Sequence, residues 1–199
     1  MGSEQDEFFE DNTFKINKLV TKILILMNFL APVFLILSYF KIFNIKTDFI
    51  IFSELLIFLF SVIALVLVYG FSSAKFKENH PDTFEIIQNA AKYFGLIGAS
   101  CILDFLGTNS HIGIYISYGI IVFLSCLYYD VKLTMFLSVM NYLGMILSQY
   151  GKSLNRFNEG ITFGASPLSD CIAFSAGFTI EFIFVCMIAY NMAKKIKRL

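Results

Sequence analysis

Glu181 is an acidic residue inside the apolar run "EFIFVCMIAYNMAKK", and its carboxylate is the first candidate for chemistry. It lies about 13 residues into the last hydrophobic stretch, which at 1.5 Å per residue is about 20 Å along a helix. Asn28 and Asn141 fall at a similar depth in the first and fifth stretches. Because amide N–H groups satisfy carboxylate oxygens, the three residues predict a ligand, proton or cation site in the centre of a bundle. An interhelical hydrogen bond that fixes the packing is the alternative interpretation.

Two further carboxylates and an imidazole form a second candidate group. Glu54 lies about two turns into the second hydrophobic stretch, Asp104 lies near the end of the third, and His111 begins the fourth. If these side chains converge, they are suited to a cationic ligand. The simpler interpretation of Asp104 and His111 is that they are helix-end residues in contact with water.

Catalysis has little support in the sequence. The sequence contains no H-E-x-x-H, G-x-S-x-G, P-loop or C-x-x-C motif, so neither an enzyme activity nor a metal or cofactor is predicted. The four cysteines all fall in apolar stretches and are interpreted as small buried hydrophobes. Zero formal net charge gives no indication of a nucleic-acid partner.

The elements that carry these residues are predicted to be transmembrane helices. Hydrophobic residues make up 57% of the 199 residues and charged residues 15%, whereas soluble domains carry about 25% charged residues. Six stretches reach the length of about 20 apolar residues that a membrane span needs. They cover 18–40, 48–72, 84–107, 112–129, 131–149 and 168–193. The sequence therefore predicts an all-α integral membrane protein with six spans.

The distribution of basic residues predicts the orientation of these spans. Six spans place both termini on one side, and an excess of Lys and Arg marks the cytoplasmic side. The predicted outer segments contain four basic residues, which are Lys41, Lys46, Lys152 and Arg156, and the other eleven of the 15 fall on the inner side. Both termini are thus predicted to be cytoplasmic, with an acidic tail over 1–14, the membrane domain over 15–193 and a basic end over 194–199.

Two local features of the predicted spans bear on function. The outer segment between the last two spans, 151–170, is long for a connection and is either a binding element or a plain connector. Pro32 lies within the first span, where its ring removes a backbone hydrogen bond. A kink there is either a hinge beside Asn28 or a feature of helix packing.

The turn "YYDVK" (Tyr128 to Lys132) and the two apolar helices it joins resemble a known family of membrane modules. The span number, the short loops and the orientation are similar to those of the N-terminal six-helix module of bacterial signalling proteins. That family includes diguanylate cyclases, histidine kinases, chemoreceptors and membrane adenylate cyclases. The resemblance implies a sensor or anchor module of the bacterial cytoplasmic membrane, which transmits through span six to an output domain. It also implies a homodimer or a cytoplasmic effector partner, and a small-molecule ligand.

The basic end "KKIKRL" is consistent with that family and with an alternative. As the start of a signalling helix it would continue towards an output domain, whereas as a cluster of charges it anchors span six at anionic lipid. The alternative function is the solute-binding, six-helix subunit of an energy-coupling-factor importer for a vitamin or metal. In that case Glu54 and Asp104 would line a substrate pocket under the outer segment.

Overall fold

All regular secondary structure in the described part of the chain is helical. The computed structural model describes residues 2–40, 47–71, 73–109, 115–160 and 164–196. The α-helices are α1 (Gly2–Met27), α2 (Leu30–Tyr39), α3 (Thr47–Leu65), α4 (Ala74–Asn79), α5 (Pro81–Asn109), α6 (Tyr115–Cys126), α7 (Val131–Asn158) and α8 (Pro167–Ile196). A π-helical turn, Val66–Gly70, continues α3 directly. The all-α class predicted from composition is confirmed.

Three helices among the described residues are long and apolar enough to cross a membrane. The qualifying segments are Pro81–Thr108 in α5, Val131–Asn158 in α7 and Pro167–Lys195 in α8. A helix of 28 residues is about 42 Å long, which exceeds the hydrocarbon core of about 30 Å. Two other apolar helical segments, Glu54–Gly70 and Ser117–Cys126, are shorter. The chain therefore has the helices of a membrane protein.

The two helices at the centre of the bundle are α5 and α7, which run parallel to each other. On one side α5 packs against α1 and α3, and on the other side α7 packs against α6 and α8. Burial follows this order, because 56% of the apolar stretch of α5 lies inside the molecule but only 17% of the apolar stretch of α8. Large apolar side chains cover the outside, including Phe184 on α8, which is 61% exposed. Such a surface suits lipid rather than water.

The first predicted span is divided between two helices. α1 begins at Gly2, within the residues predicted as an acidic tail, and ends at Met27, before α2 begins at Leu30. The break falls four residues before Pro32, because a proline ring clashes with the carbonyl of the residue four positions earlier. The amide of Asn28 donates to the carbonyl oxygens of Leu24 (3.0 Å) and Ile25 (3.2 Å). It thereby satisfies backbone groups that the end of α1 leaves free.

The segment predicted as a long outer loop is largely helical. α7 continues to Asn158, and α8 begins at Pro167, so the connection is Glu159–Ser166. The sequence contains no proline between Val131 and Gly160. Gly160 has a positive φ of 72°, and a glycine in this conformation typically ends a helix. Two polar residues of the predicted outer segment, Lys152 and Ser153, are buried on one face of α7 instead.

A buried amide network joins three elements at the end of the bundle where α7 begins, here called the Asp130 end. Asn17 on α1 is 2% exposed, and its amide donates to the backbone oxygen and the side-chain oxygen of Gln88 on α5, both at 2.9 Å. The Tyr128 hydroxyl donates to the Asn17 side-chain oxygen at 2.8 Å. Burial raises the pKa of Tyr128, so its hydroxyl keeps the proton that it donates.

Asp130 holds the turn between α6 and α7 in place beside this network. Its carboxylate accepts a hydrogen bond from the Leu133 backbone N–H at 3.0 Å and so caps α7. It also pairs with the Lys92 ammonium of α5 at 3.2 Å. Tyr129, immediately before it, has a φ of +57°, which is strained for a bulky residue. The hydrogen bonds of the neighbouring Tyr128 and Asp130 fix the turn in this conformation.

Replacing Asn17 by alanine should destabilise the protein by about 2–4 kcal/mol, since the buried Tyr128 hydroxyl and the Gln88 side chain lose their partner. Thermal unfolding of the purified protein in a mild detergent would measure the loss. Lys15→Ala is the matched control on the same helix, because its ion pair with Asp11 is exposed and should contribute little. Equal melting temperatures of the two variants would contradict the assigned role of Asn17.

Acid should remove the contribution of Asp130 to stability. Burial alone would raise the pKa of Asp130, but the Leu133 N–H and the Lys92 ammonium outweigh it and set the pKa below the ordinary value of 3.8. A carboxylate with a depressed folded-state pKa stabilises fully above its unfolded pKa, and its contribution is lost as pH falls through the folded value. Below pH 3.8, Asp130→Asn should therefore lose less stability than the unmodified protein, measured by detergent-phase unfolding at a series of pH values. Parallel pH profiles for both proteins would contradict this assignment.

Candidate functional site

The inward face of α7 is polar over its whole second half. Its fully or nearly fully buried polar side chains recur at the spacing of one helix face, and they are Asn141, Ser148, Gln149, Lys152 and Ser153. Polar groups at membrane depth must be satisfied inside the protein. This polar face of α7 is therefore where binding chemistry is concentrated.

Glycines bring α5 and α7 into close contact along this face. A Cβ atom at Gly144 would lie 2.6 Å from one carboxylate oxygen of Asp104 on α5. Two turns further along α7, a Cβ at Gly151 would lie 2.6 Å from the Thr108 methyl group. The pattern is reciprocal, because Gly107 on α5 makes room for Ser148 on α7. Small residues at such crossings let helix backbones approach closely.

Asp104 is half-buried where the two helices cross. Tyr118 on α6 is fully buried, and its hydroxyl lies at the same crossing, 3.0 Å from the position of a Cβ atom at Gly107, where it interacts with the Asp104 carboxylate. Thr108 donates its hydroxyl to the Asp104 backbone oxygen at 2.8 Å. One buried oxygen of the carboxylate makes no hydrogen bond to any residue that the structure describes. The carboxylate thus meets α6 through Tyr118 and α7 through Gly144.

A second pair of charges lies nearer the end of α7. Arg156 and Asp170, in the first turn of α8, approach to 3.9 Å between Nε and a carboxylate oxygen, with side-chain exposures of 13% and 1%. This separation is too long for a hydrogen bond, and both Asp170 side-chain oxygens lack a hydrogen-bond partner within the described ranges. The guanidinium also lies over the Phe174 ring at 4.5 Å. A buried ion pair with such geometry is poorly compensated for its desolvation.

Lys152 and Ser153 complete this group, which we call the Asp170 site with Arg156 and Asp170. Lys152 is 7% exposed and Ser153 is fully buried. The Ser153 hydroxyl finds no hydrogen-bond partner in the described part of the chain. With two basic side chains and one carboxylate, the Asp170 site has a formal charge of +1. A guanidinium, an ammonium and a hydroxyl are the groups that bind carboxylate or phosphate oxygens.

The structure separates the three residues of the first predicted site. Glu181 lies on the exposed face of α8. Asn28 donates to Ser61 of α3 at 2.8 Å in addition to its own helix, and Asn141 is buried and donates to the Leu137 backbone oxygen at 2.8 Å. Both amide groups therefore donate to partners other than the Glu181 carboxylate.

The second predicted group is described only in part, because His111 lies outside the described residues. Glu54 is half-buried on α3, with one buried oxygen that has no hydrogen-bond partner among the described residues. The contact of Phe52 with Phe105, at 5.1 Å between ring centroids, puts that part of α3 level with Asp104. Asp104 itself belongs to the α5–α7 crossing, and Pro32 lies in the first turn of α2.

Sequence reasoning missed the residues of the Asp170 site. Lys152 and Arg156 were assigned to a loop, although Ser148, Lys152 and Arg156 recur every four residues and Gln149 and Ser153 repeat the same spacing. That period predicts one face of a continuing helix. Tyr118 carried no signal, because a tyrosine near the start of an apolar helix is equally typical of the membrane–water interface.

No family model, curated protein or solved structure matches this chain. Within the part that the structure describes, no group of three His, Cys, Asp or Glu side chains could hold a metal ion, and the four cysteines are free thiols. A functional hypothesis for this chain has to start from its own buried polar groups, and these are concentrated on the polar face of α7.

Gly144→Ala should destabilise the protein by about 1–3 kcal/mol, the usual cost of overpacking a core, because the new methyl group would collide with the Asp104 carboxylate. Leu147→Ala on the same helix is the control, since Leu147 is 69% exposed. Thermal unfolding in detergent compares the two. A Gly144 variant as stable as the Leu147 variant would show that the crossing has room to spare.

Proposed function

We propose that this protein is a membrane-embedded sensor module that binds a small anion at the Asp170 site and transmits the binding through α8. The observation that carries the proposal is the Arg156–Asp170 pair, in which two buried charges approach to 3.9 Å without a hydrogen bond. A carboxylate or phosphate ligand would offer Arg156 the bidentate hydrogen bonds that Asp170 does not make.

The chemistry of the site favours an anion over a cation. Lys152 and Arg156 lie one helical turn apart and repel each other, and together with Asp170 they give the Asp170 site its formal charge of +1. A net positive charge attracts an anion rather than a cation. The buried Ser153 hydroxyl supplies a further donor beside them.

Transmission through α8 follows from the position of Asp170, the carboxylate with which the anion would compete for Arg156. Asp170 belongs to the first turn of α8, so a ligand that replaces it at Arg156 changes what holds the start of that helix. α8 packs on α6 and α7 and is mostly exposed along its length. Its other end has Lys194 and Lys195 in the last turn, where a cytoplasmic effector would receive the change.

The proposed arrangement is a six-span protein of the bacterial cytoplasmic membrane with both termini inside. The alternating direction of successive segments supports it, as does the charge distribution. Eleven of the 15 basic residues lie on the proposed inner side, against Lys41, Lys46, Lys152 and Arg156 on the outer side. In this orientation the Asp170 site lies at the outer end of the bundle.

A solute-binding importer subunit is the second candidate. The observation that favours it is that Ser166 and Ser169, which precede Asp170 in the chain, hydrogen-bond to each other and so order the entry to α8 beside the Asp170 site. Such a subunit would co-purify with an ATPase complex from its native membrane. A sensor would co-purify with a signalling protein or without either.

The anion proposal predicts which variants lose and which gain affinity. Sodium acetate, succinate and phosphate, each compared with chloride at equal ionic strength, would be tested for raising the melting temperature of the purified protein. At least one should raise it, and Arg156→Gln should abolish that shift because the guanidinium is removed. Asp170→Asn should bind the same anion more tightly, because the competing carboxylate is gone.

Hydrogen exchange of α8 separates sensing from mere binding. The effective anion should change exchange over Tyr190–Ile196 in the unmodified protein but not in Asp170→Asn. Lys132→Gln is the charge control, since Lys132 is exposed at the start of α7, and it should respond like the unmodified protein. An Arg156→Gln protein that still responds, or no response to any of the three anions, would contradict the proposal.

A further inference from the structure

One face of α8 is open along the middle of the helix. Six exposed residues define this open face, at the spacing of a single helical stripe: Ala173, Gly177, Ile180, Glu181, Phe184 and Ile188. Four of them, Ala173, Ile180, Phe184 and Ile188, have apolar side chains that suit a lipid surface. Ile180 and Phe184 are 60% and 61% exposed. Glu181 is the exception, since it is charged.

Glu181 lies near the middle of the 30-residue α8. Lipid chains offer no hydrogen bond to a carboxyl group, so an exposed acid at this depth is costly. The neighbouring positions on the open face are apolar or small and contain no basic residue. Since the described residues of α8 around it offer no basic partner, the carboxyl group is open to a polar partner from a second molecule.

Gly177, one turn before Glu181, lies in open space within the described part of the molecule. No described atom would lie within 4 Å of a Cβ atom there, whereas Cβ atoms at Gly98, Gly107 and Gly144 would collide with side chains. Those three glycines serve the packing of this chain, and Gly177 does not. Together with Ala173 four residues earlier it forms a small-xxx-small pattern, which lets two membrane helices approach closely.

We propose that two copies of this chain associate through the open face of α8, with their Glu181 carboxyl groups hydrogen-bonded across the interface. Copies inserted in the same orientation are related by a two-fold axis along the membrane normal, so each residue on the axis meets its own counterpart at the same depth. One protonated carboxyl group then donates its O–H to the other carboxylate. This arrangement satisfies both acids without a basic residue, which the open face does not supply.

A second copy fits these features better than lipid or an unrelated helix does. Lipid leaves the acid unsatisfied, and an unrelated helix would have to supply a donor at this one depth. A second copy supplies one at the matching depth by symmetry, and its own Gly177 doubles the room for close approach. The interface does not depend on the anion site, because the open face consists of exposed residues of α8, whereas Asp170 is buried in the first turn of the same helix.

The test exploits the open space at Gly177. Gly177→Phe adds bulk where the chain itself has no atoms, so the fold of one copy should remain intact while the second copy is kept away. Val139→Phe is the matched control on α7, where Val139 is 61% exposed. Energy transfer between labelled copies would be measured in proteoliposomes at increasing lipid dilution. The unmodified protein and Val139→Phe should dimerise, and Gly177→Phe should associate at least about tenfold more weakly.

Cross-linking reports on the same interface independently. Gly177→Cys should form a disulfide-linked dimer under mild oxidation, and Val139→Cys should form no more than the background set by the exposed native Cys101. A monomeric unmodified protein at every dilution would overturn the proposal, and so would a Gly177→Phe protein that associates normally. Preferential cross-linking through Val139→Cys would overturn it as well, by assigning contact to α7. None of these outcomes bears on anion binding, which is measured separately.

Discussion

The close contact between α5 and α7 is the interaction on which the rest of the bundle depends. Gly107, Gly144 and Gly151 bring the two helices together, and the side chains of Asp104, Ser148 and Thr108 fill the space that the glycines leave. The other long helices pack on this pair, with α1 and α3 on α5, and α6 and α8 on α7, and they also pack on one another. Because polar groups between apolar helices must be satisfied within the bundle, this contact also determines where chemistry can occur.

The two ends of this central pair differ in how well their polar groups are satisfied. At the Asp130 end, Asn17, Gln88 and Tyr128 are linked by hydrogen bonds of 2.8–2.9 Å, and Asp130 is both a helix cap and an ion-pair partner. At the other end, Arg156 and Asp170 approach without bonding. A satisfied network resists rearrangement, whereas a poorly compensated pair can exchange partners at little cost. The bundle thus combines a fixed end with one that is suited to respond, and α8 runs between them.

Some features could be predicted from local patterns alone, and others could not. The helical class follows from apolar runs of membrane length, and the break before Pro32 follows from the geometry of proline. The extension of α7 to Asn158 was also encoded, in the four-residue spacing of Ser148, Lys152 and Arg156. An outer segment was predicted from position 151 onwards because Gly160, Gly164 and Pro167 suit turns, and the period before them was not used. The face that a helix presents to its neighbours has no such local signal, and for this reason Glu181 was expected in the centre of the bundle.

The sequence by itself determined that this chain forms apolar helices of membrane length, because hydrophobicity, length and proline position act on each segment separately. Only the tertiary structure decided which polar residues meet. Asn141 and Asp104 lie inward, whereas Glu181 lies on the open face of α8. The physical reason is that the rotation of each helix about its axis is set by packing against its neighbours. Glycines and small side chains in other segments control that packing, so no single stretch of sequence contains the answer.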